Sequence, residues 1–216
     1  MKKLLLTAIV VVGAMALAGA APQTDWSSGL IITTDDAILQ GEIRYNYAYD
    51  IVMYRSNEEA NLQTFSTSHV TSFRYYDKEQ DRVRYFQKYT YQKSEHIAQP
   101  AFFEVVLLGN ISYLRKHNGA TYFDATDSRR FAVKRSDRVS PEVMCYDYYV
   151  QLNGEIIRAR KFKREVLPWL LSQNIAIKDH MRQHGLRSSH VDDQIRLIQY
   201  ANHQLHQAHL SASITP

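Results

Sequence analysis

Cysteine is almost absent from this sequence. Cys145 is the only cysteine among 216 residues, so no intramolecular disulfide can stabilise the chain. Stability must come from a hydrophobic core, and the hydrophobic content of 45% suits a globular protein. Cys145 itself is expected to be a small buried residue in a strand, because a nucleophilic cysteine would need a histidine and an orienting group beside it.

Recognisable catalytic motifs are also missing. The sequence contains no G-x-S-x-G turn, no phosphate-binding P-loop and no dinucleotide fingerprint. Four acidic residues fall on predicted strands, and no pattern pairs them as acid and base: Glu42, Glu104, Asp147 and Glu155. The sequence therefore names no catalytic residue and no cofactor, although a site assembled only in space would leave no such motif.

A long apolar run occurs only at the N-terminus. Lys2 and Lys3 precede apolar residues 4–17, and Ala18-Gly19-Ala20 fits the cleavage rule for signal peptidase. The run is shorter than the about 20 residues of a membrane span. The sequence therefore predicts a signal peptide over residues 1–20, export to the periplasm or cell surface, and no transmembrane span in the mature chain.

Neither sign of charge dominates the sequence. The chain has 26 Lys and Arg against 22 Asp and Glu, and the predicted leader holds two of the lysines and no acid. Removal of the leader lowers the formal net charge from +4 to +2. Such a balance does not favour nucleic acid as a partner, and an exported destination argues against it as well.

The cations are nevertheless grouped in two basic clusters. The first lies in a polar stretch and contains Arg129, Arg130, Lys134, Arg135 and Arg138; the second contains Arg158, Arg160, Lys161, Lys163 and Arg164. Either cluster suits an anionic lipid, a polysaccharide or an acidic protein partner. The alternative is a solvated surface with local ion pairs. We take the four arginines of the first cluster as the candidate surface for an anionic envelope component.

The apolar stretch at residues 102–117 predicts a central β-hairpin. Gly109-Asn110 tolerates the positive φ angles of a two-residue turn. That turn would place Leu108 opposite Ile111, Val106 opposite Tyr113 and Glu104 opposite Arg115, a register with two apolar pairs and one ion pair. Because the first half of the stretch is apolar on both faces except at Glu104, the sequence predicts that it lies inside a sheet.

Further strands are predicted on both sides of this hairpin. Six precede it, at residues 30–32, 38–45, 50–55, 62–65, 70–76 and 83–91. Residues 118–142 are polar and broken, with one weak strand at 130–134. Residues 145–152 and 155–158 return to strand character and are joined by an Asn153-Gly154 turn.

The pattern becomes helical after Ala159. Apolar spacing predicts one helix that begins near Arg164, a second that Gly185 ends, and a third that begins at Val191. The fold class is therefore α+β. An antiparallel β-rich body over residues 21–158, as a sheet, a sandwich or a partly open barrel, precedes a bundle of about three helices over residues 159–207. A disordered tail over residues 208–216 ends the chain.

The order of these apolar and turn patterns resembles a known group of proteins. The segments GLIITTDDAILQGEIRY, HVTSFRY, FFEVVLLGNISYL and YYVQLNGEI, with the helical FKREVL and DDQIRLIQYAN, are similar to a loose group of uncharacterised secreted proteins from Gram-negative bacteria of the Bacteroidota type. The resemblance covers most of the mature chain. It implies export and a β-rich body with a helical end, and it implies no catalytic residue.

Histidine and tyrosine supply two further candidate sites. His180 and His184 lie one helical turn apart, as do His203 and His206, and such spacing can bind zinc or copper. No cysteine accompanies them and the zincin motif is absent, so we expect solvated histidines and no tight metal site. Alternating tyrosines at positions 45, 47 and 49 and at 85, 89 and 91 could bind sugar rings or a peptide strand, but core and cross-strand packing is the expected explanation.

Three functions remain open from the sequence. The first is a non-enzymatic periplasmic or cell-surface module with a binding or structural role. The second is a β-barrel or β-clam that holds a small apolar ligand. The third is a hydrolase whose site leaves no motif in the sequence.

Overall fold

The structure is a computed structural model that describes residues 26–94, 96–119 and 145–214, with side chains described as far as residue 208. The predicted signal peptide and its cleavage site lie outside these residues. So do the first basic cluster, with Arg129, Arg130, Arg135 and Arg138, and the weak strand predicted at residues 130–134.

The described residues form ten strands in one antiparallel sheet. In chain order the strands are Ser27–Thr33 (β1), Ile38–Asn46 (β2), Ile51–Arg55 (β3), Gln63–Phe65 (β4), Val70–Asp77 (β5), Arg82–Ser94 (β6), Ile97–Leu107 (β7), Ser112–His117 (β8), Tyr146–Leu152 (β9) and Glu155–Arg158 (β10). Their order across the sheet is β10-β9-β8-β7-β6-β5-β1-β2-β3-β4. The sheet is open. Of the sheet, sandwich and partly open barrel that the sequence left possible, the structure therefore has the sheet.

Three α-helices follow the sheet: Leu167–Ser172 (α1), Ile177–His184 (α2) and Val191–Ile214 (α3). The α+β class is thereby confirmed. A 3₁₀ turn and a π-helical turn over Phe162–Val166 lead into α1, so the regular helix begins three residues later than Arg164. Gly185 ends α2 in the left-handed conformation, as predicted. Helix α3 continues to Ile214, past the predicted boundary at residue 207.

No described helix is both long enough and apolar enough to cross a membrane.

The central hairpin, β7–β8, differs from the prediction near its turn. Glu104 lies opposite Arg115 as expected, but a bulge shifts the register so that Leu107, not Val106, faces Tyr113. The expected pairing of Leu108 with Ile111 is also wrong, because Ile111 has another partner. The side chain of Asn202 on α3 accepts a hydrogen bond from Ile111 N at 2.9 Å and donates one to Ile111 O at 2.8 Å.

The sheet is strongly curled. The Tyr45 ring on β2 lies 6.2 Å, between centroids, from the Phe102 ring on β7, although β1, β5 and β6 separate these strands in the sheet. Tyr45 also packs against Phe73 and Phe86, each at 5.0 Å. We call the side of the sheet that carries these rings the concave face. Residues from β1, β2, β3, β5, β6 and β7 form one hydrophobic core there.

The helices pack against β8 and β9 and form a second core with them. Gln194 on α3 connects the two layers with its side-chain amide. Its Oε1 accepts a hydrogen bond from Tyr113 Oη at 2.7 Å, and its Nε2 donates to the carbonyls of Ser188 at 2.7 Å and Ala159 at 3.3 Å. A buried amide whose hydrogen bonds are satisfied fixes the position of the helix on the sheet.

Substitution of Gln194 tests this connection. Gln194→Leu should lower the free energy of unfolding by about 1–3 kcal/mol, because it leaves buried polar partners unsatisfied. Urea denaturation measures the change. Gln199→Leu, at an exposed position of the same helix, is the matched control and should change stability by less than about 0.5 kcal/mol. Equal losses in both variants would contradict the connecting role of Gln194.

Candidate ligand-binding site

The register of the sheet places charged side chains beside aromatic ones on the concave face. A cross-strand row runs over β5, β6, β7, β8 and β9 through Phe73, Phe86, Glu104, Arg115 and Tyr148. Paired residues of neighbouring strands share a face of the sheet. An acid and an arginine are thus held at the centre of the sheet, with aromatic rings on both sides of them.

A second row lies two residues further along each strand, so it shares the same face. Arg84 is paired with Tyr75 across β6 and β5, and His117 is paired with Tyr146 across β8 and β9. Arg84 is in phase with Phe86, as the period of two in β6 requires. The two rows together bring two arginines, Arg84 and Arg115, to one acid, Glu104.

Glu104 is the centre of this cluster, and only 4% of its surface is exposed. Arg84 Nη2 donates to Glu104 Oε2 at 2.5 Å, and Arg115 contacts both oxygens, at 2.8 Å from Nε and 3.0 Å from Nη2. Arg82, at the edge, lies 3.4 Å from Oε1. Such bidentate, charge-assisted contacts are the strong class of ion pair. The buried centre therefore contains two arginines around Glu104, and a second acid, Asp77, lies 3.5 Å from Arg84.

The surroundings shift the pKa values of this buried pair. Burial alone would raise the pKa of Glu104, but the charge of Arg84 and the hydrogen bonds from Arg115 and Arg84 outweigh it and lower that pKa below 4.5. Burial also disfavours the charged form of Arg115, yet its hydrogen bond to Glu104 raises its pKa above the ordinary value. All three side chains are therefore charged at neutral pH.

The curl of the sheet adds residues from a distant turn to this cluster. Asp50, between β2 and β3, accepts hydrogen bonds from Lys116 Nζ at 2.6 and 2.8 Å and from Tyr45 Oη at 2.7 Å. The Tyr47 ring lies against the His117 ring, with 3.9 Å between centroids and 30° between the ring planes. These contacts close one side of the cluster although β2 and β8 are far apart in the sheet order.

The surroundings of His117 lower the pKa of its imidazole. Burial lowers the pKa of its imidazole, and the positive charges of Arg84, Lys116 and Arg115 lower it further. The lowered pKa keeps the imidazole neutral at neutral pH.

These residues surround a pocket of about 220 Å³, which we call the arginine–tyrosine pocket. Its lining contains Tyr45, Tyr47, Tyr75, Tyr146, Phe86, Phe102, Arg84, Arg115, Lys116, His117, Glu104, Asp77, Glu79 and Gln80. Asp77 contributes the weakest of the ion pairs to Arg84, with Oδ2 at 3.5 Å from Nη1. Arg84 Nε is buried and has no hydrogen-bond partner among the residues that the structure describes. The pocket thus offers arginine donors and tyrosine rings to a small polar ligand.

The second basic cluster divides into two parts in the structure. Lys161 and Arg164 form ion pairs with Glu165, at 3.3 and 2.8 Å. Arg158 and Arg160 instead line a groove of about 280 Å³ beside β9 and the start of α3. Only these two arginines of the cluster therefore belong to a concave surface in the described part of the chain.

The predicted histidine candidates are only partly brought together. His180 and His184 share one face of α2, with ring centroids 4.4 Å apart, and the His180 ring stacks on Tyr200 at 3.9 Å. His203 lines the same surface cleft, whereas His206 does not. Within residues 26–94, 96–119 and 145–208, no three metal-ligating side chains of His, Cys, Asp or Glu form a group.

The alternating tyrosines do not form one exposed aromatic row. Tyr45 and Tyr91 are buried in two different cores, whereas Tyr49 is 75% exposed. Tyr47 lies in the arginine–tyrosine pocket. The packing explanation therefore holds for most of the row. Cys145 is buried, as expected, but it lies in a turn directly before β9 and not in a strand.

Several pocket residues were missed from the sequence. Arg84 could be predicted as a pocket residue from the sequence, because it is a charged residue on the same side of a period-two strand as the buried Phe86. Glu104 is the single charge in an apolar stretch, and the hairpin register predicts only one of its two arginine partners, Arg115. Asp50 and Lys116 gave no signal, since only the curl of the sheet brings them together.

Comparisons of the chain with protein-family models, with curated proteins and with solved structures found no match.

Proposed function

We propose that the protein is an exported, non-enzymatic binding module and that its arginine–tyrosine pocket binds a small carboxylate-bearing molecule. The observation that carries the proposal is the sharing of one buried carboxylate, Glu104, by Arg84 and Arg115 inside a concave, tyrosine-lined pocket. Arg84 has one further, longer ion pair, with Asp77 at 3.5 Å, and the anionic group of a ligand would compete with Asp77 for that guanidinium group.

The pocket favours an anionic ligand over an apolar one. Its lining is charged, with Arg84, Arg115 and Lys116 beside the acids Asp77, Glu79 and Glu104. Tyrosine rings offer an apolar surface with a polar edge, which suits a hydroxylated ring. Since charged groups interrupt the apolar lining, the small apolar ligand of a β-barrel or β-clam is the weaker candidate.

Asp77 provides a sensitive test of this proposal. Its Oδ2 lies near Arg84, while its Oδ1 accepts hydrogen bonds from the backbone of Glu79 and Gln80. Asp77→Asn keeps the Oδ1 acceptor and removes the charge that competes with an anionic ligand. We expect the affinity for galacturonate to rise about fivefold, which corresponds to about 1 kcal/mol. Isothermal titration calorimetry of the purified protein measures it.

Two controls make the result specific. Galactose, which lacks the carboxylate, should bind at least tenfold more weakly than galacturonate to the unmodified protein. Glu59→Gln removes an acid at an exposed position on the β3–β4 connection and should leave the galacturonate affinity unchanged. Equal binding of galactose and galacturonate, or no binding of either, would overturn the proposal.

A further inference from the structure

Helices α2 and α3 border a surface cleft that shares no residue with the arginine–tyrosine pocket. His180 and His184 lie one turn apart on α2, while Arg196, Tyr200 and His203 share one face of α3 by their helical spacing. The His180 ring stacks on the Tyr200 ring, with 3.9 Å between centroids and 4° between the ring planes. The two helix faces therefore meet at a cleft of about 420 Å³, which we call the histidine cleft.

The histidine cleft contains cationic and titratable groups without an acid. Its polar lining consists of His180, His184, Arg196, Gln199, Tyr200 and His203. No Asp or Glu among the described residues lines the cleft, and Arg196 forms no ion pair with any residue that the structure describes. A concave surface with one unneutralised guanidinium group and three imidazoles is suited to an anionic group.

The acids of α2 and α3 make their contacts outside the cleft. Asp179 pairs with Arg182, and Asp193 lies 3.6 Å from His190 and accepts a hydrogen bond from the backbone N–H of Arg187 at 3.0 Å. Helix α1 has no charged residue. The other charged or titratable side chains described on α2, on α3 and between them do not line the cleft: Lys178, Arg187, Asp192 and His206. Protonation of the cleft histidines therefore adds positive charge that no described acid in the lining neutralises.

His180 resists protonation unless an anion is bound. Burial lowers the pKa of its imidazole, and the charge of His184 lowers it further. The two rings are 4.4 Å apart between centroids, so two imidazolium groups would repel each other there. A bound anion would offset that repulsion, and anion binding and protonation therefore favour each other.

We propose that the histidine cleft binds a phosphomonoester when its histidines are protonated. A phosphate group presents several acceptor oxygens and more than one negative charge, which suits donors that converge from two helices. A carboxylate, with a single charge, would leave most of these cations unneutralised. Both a soluble phosphomonoester and the headgroup of phosphatidic acid carry such a phosphate.

The test measures the affinity for glycerol 3-phosphate at about pH 6 and about pH 8, by isothermal titration calorimetry of the purified protein. EDTA is present so that no metal ion bridges the ligand and the histidines. Binding should be about tenfold tighter at the lower pH, because histidines gain charge below their ordinary pKa of about 6.5. The phosphate itself has less charge there, since its second pKa is about 6, so tighter binding identifies the protein as the source of the effect. Glycerol should not bind.

Variants at exposed positions assign the effect to the cleft. Arg196→Gln should weaken binding about fivefold at both pH values. His184→Gln combined with His203→Gln should reduce the difference between the two pH values and leave the affinity at about pH 8 unchanged. All three side chains are exposed, so these substitutions should not unfold the protein. Arg182→Gln and His206→Gln remove the same groups from exposed positions of the same helices outside the cleft and should change neither affinity.

Vesicles identify the source of the phosphate. Co-sedimentation at about pH 6 compares vesicles of phosphatidic acid in phosphatidylcholine with vesicles of phosphatidylcholine alone. Binding to the first that requires Arg196 assigns the phosphate to a lipid headgroup, whereas binding of glycerol 3-phosphate without vesicle binding assigns it to a soluble ligand. Binding of neither, equal affinity at the two pH values, or equal losses in the control variants overturns the histidine cleft as a phosphate site. None of these outcomes bears on the arginine–tyrosine pocket, which galacturonate tests separately.

Discussion

Glu104→Gln should lower the free energy of unfolding by about 3–5 kcal/mol, because it leaves two charged arginines without their carboxylate in a buried site. Glu104 is 4% exposed, and both of its oxygens accept hydrogen bonds from Arg115. Glutamine preserves the size of the side chain but supplies no charge. The loss is therefore electrostatic in origin, and no cavity is created.

Urea denaturation at pH 7 measures this effect, and Glu42→Gln is the matched control. Glu42 also pairs with an arginine, Arg55, at 2.6 Å, but both side chains are partly exposed. A partly exposed pair contributes about 0–1 kcal/mol. A loss from Glu104→Gln no larger than that from Glu42→Gln would contradict the central role assigned to Glu104.

If the Glu104→Gln variant folds, its affinity for galacturonate should rise, because Arg84 and Arg115 lose the carboxylate that they bind within the protein.

The same ion pairs predict how stability depends on pH. The pKa of Glu104 is lower in the folded protein than its ordinary value of 4.5, so the folded state favours the charged form. Its contribution to stability is complete above about pH 4.5 and is lost as the pH falls through the lowered pKa. Below pH 4.5 the unmodified protein should therefore lose stability more steeply than the Glu104→Gln variant.

Asn202→Ala should lower the free energy of unfolding by about 2–4 kcal/mol. Its amide satisfies both the N–H and the carbonyl of Ile111, a fully buried residue at the turn of the central hairpin. Loss of the amide leaves a donor and an acceptor without partners, and each costs about 1–3 kcal/mol. Urea denaturation measures the change, and Gln199→Ala on the exposed side of α3 should be nearly neutral.

A second variant tests the same contact from the hairpin side. A side chain at Gly109 would clash with the amide of Asn202, so Gly109→Ala should also destabilise the protein. Combined with Asn202→Ala it should cost less than the sum of the two single losses, because the clash is then removed. Additive losses would show that Gly109 and Asn202 act independently.

Much of the fold follows from local patterns in the sequence. The alternation in β6 and the turn residues at Asn153-Gly154 identify strands that the structure contains. The ion pair of Glu104 with Arg115 follows from the hairpin register. The bulge near Val106 does not follow from that register. Nor do the contacts of Asn202, which is distant in sequence and occupies both hydrogen-bonding groups of Ile111.

The candidate site was less accessible to sequence reasoning because it depends on the curl of the sheet. Each strand pairing is a local property, but the contact of Asp50 with Lys116 requires the β2–β3 turn to reach β8 across several strands. The two arginines on Glu104 come from different strands, and only the full strand order aligns them. The sequence did identify the basic character of Arg158 and Arg160, although not their separation from Lys161 and Arg164.

The central claim is that the arginine–tyrosine pocket binds a carboxylate, and the pKa of His117 tests it most directly. NMR titration of the imidazole should show a pKa below 6.5 in the free protein, where burial and the charges of Arg84, Lys116 and Arg115 disfavour the proton. Saturation with galacturonate should raise that pKa, because the bound anion offsets the three cations, whereas galactose should not. An unchanged pKa of His117 at saturating galacturonate would contradict the account.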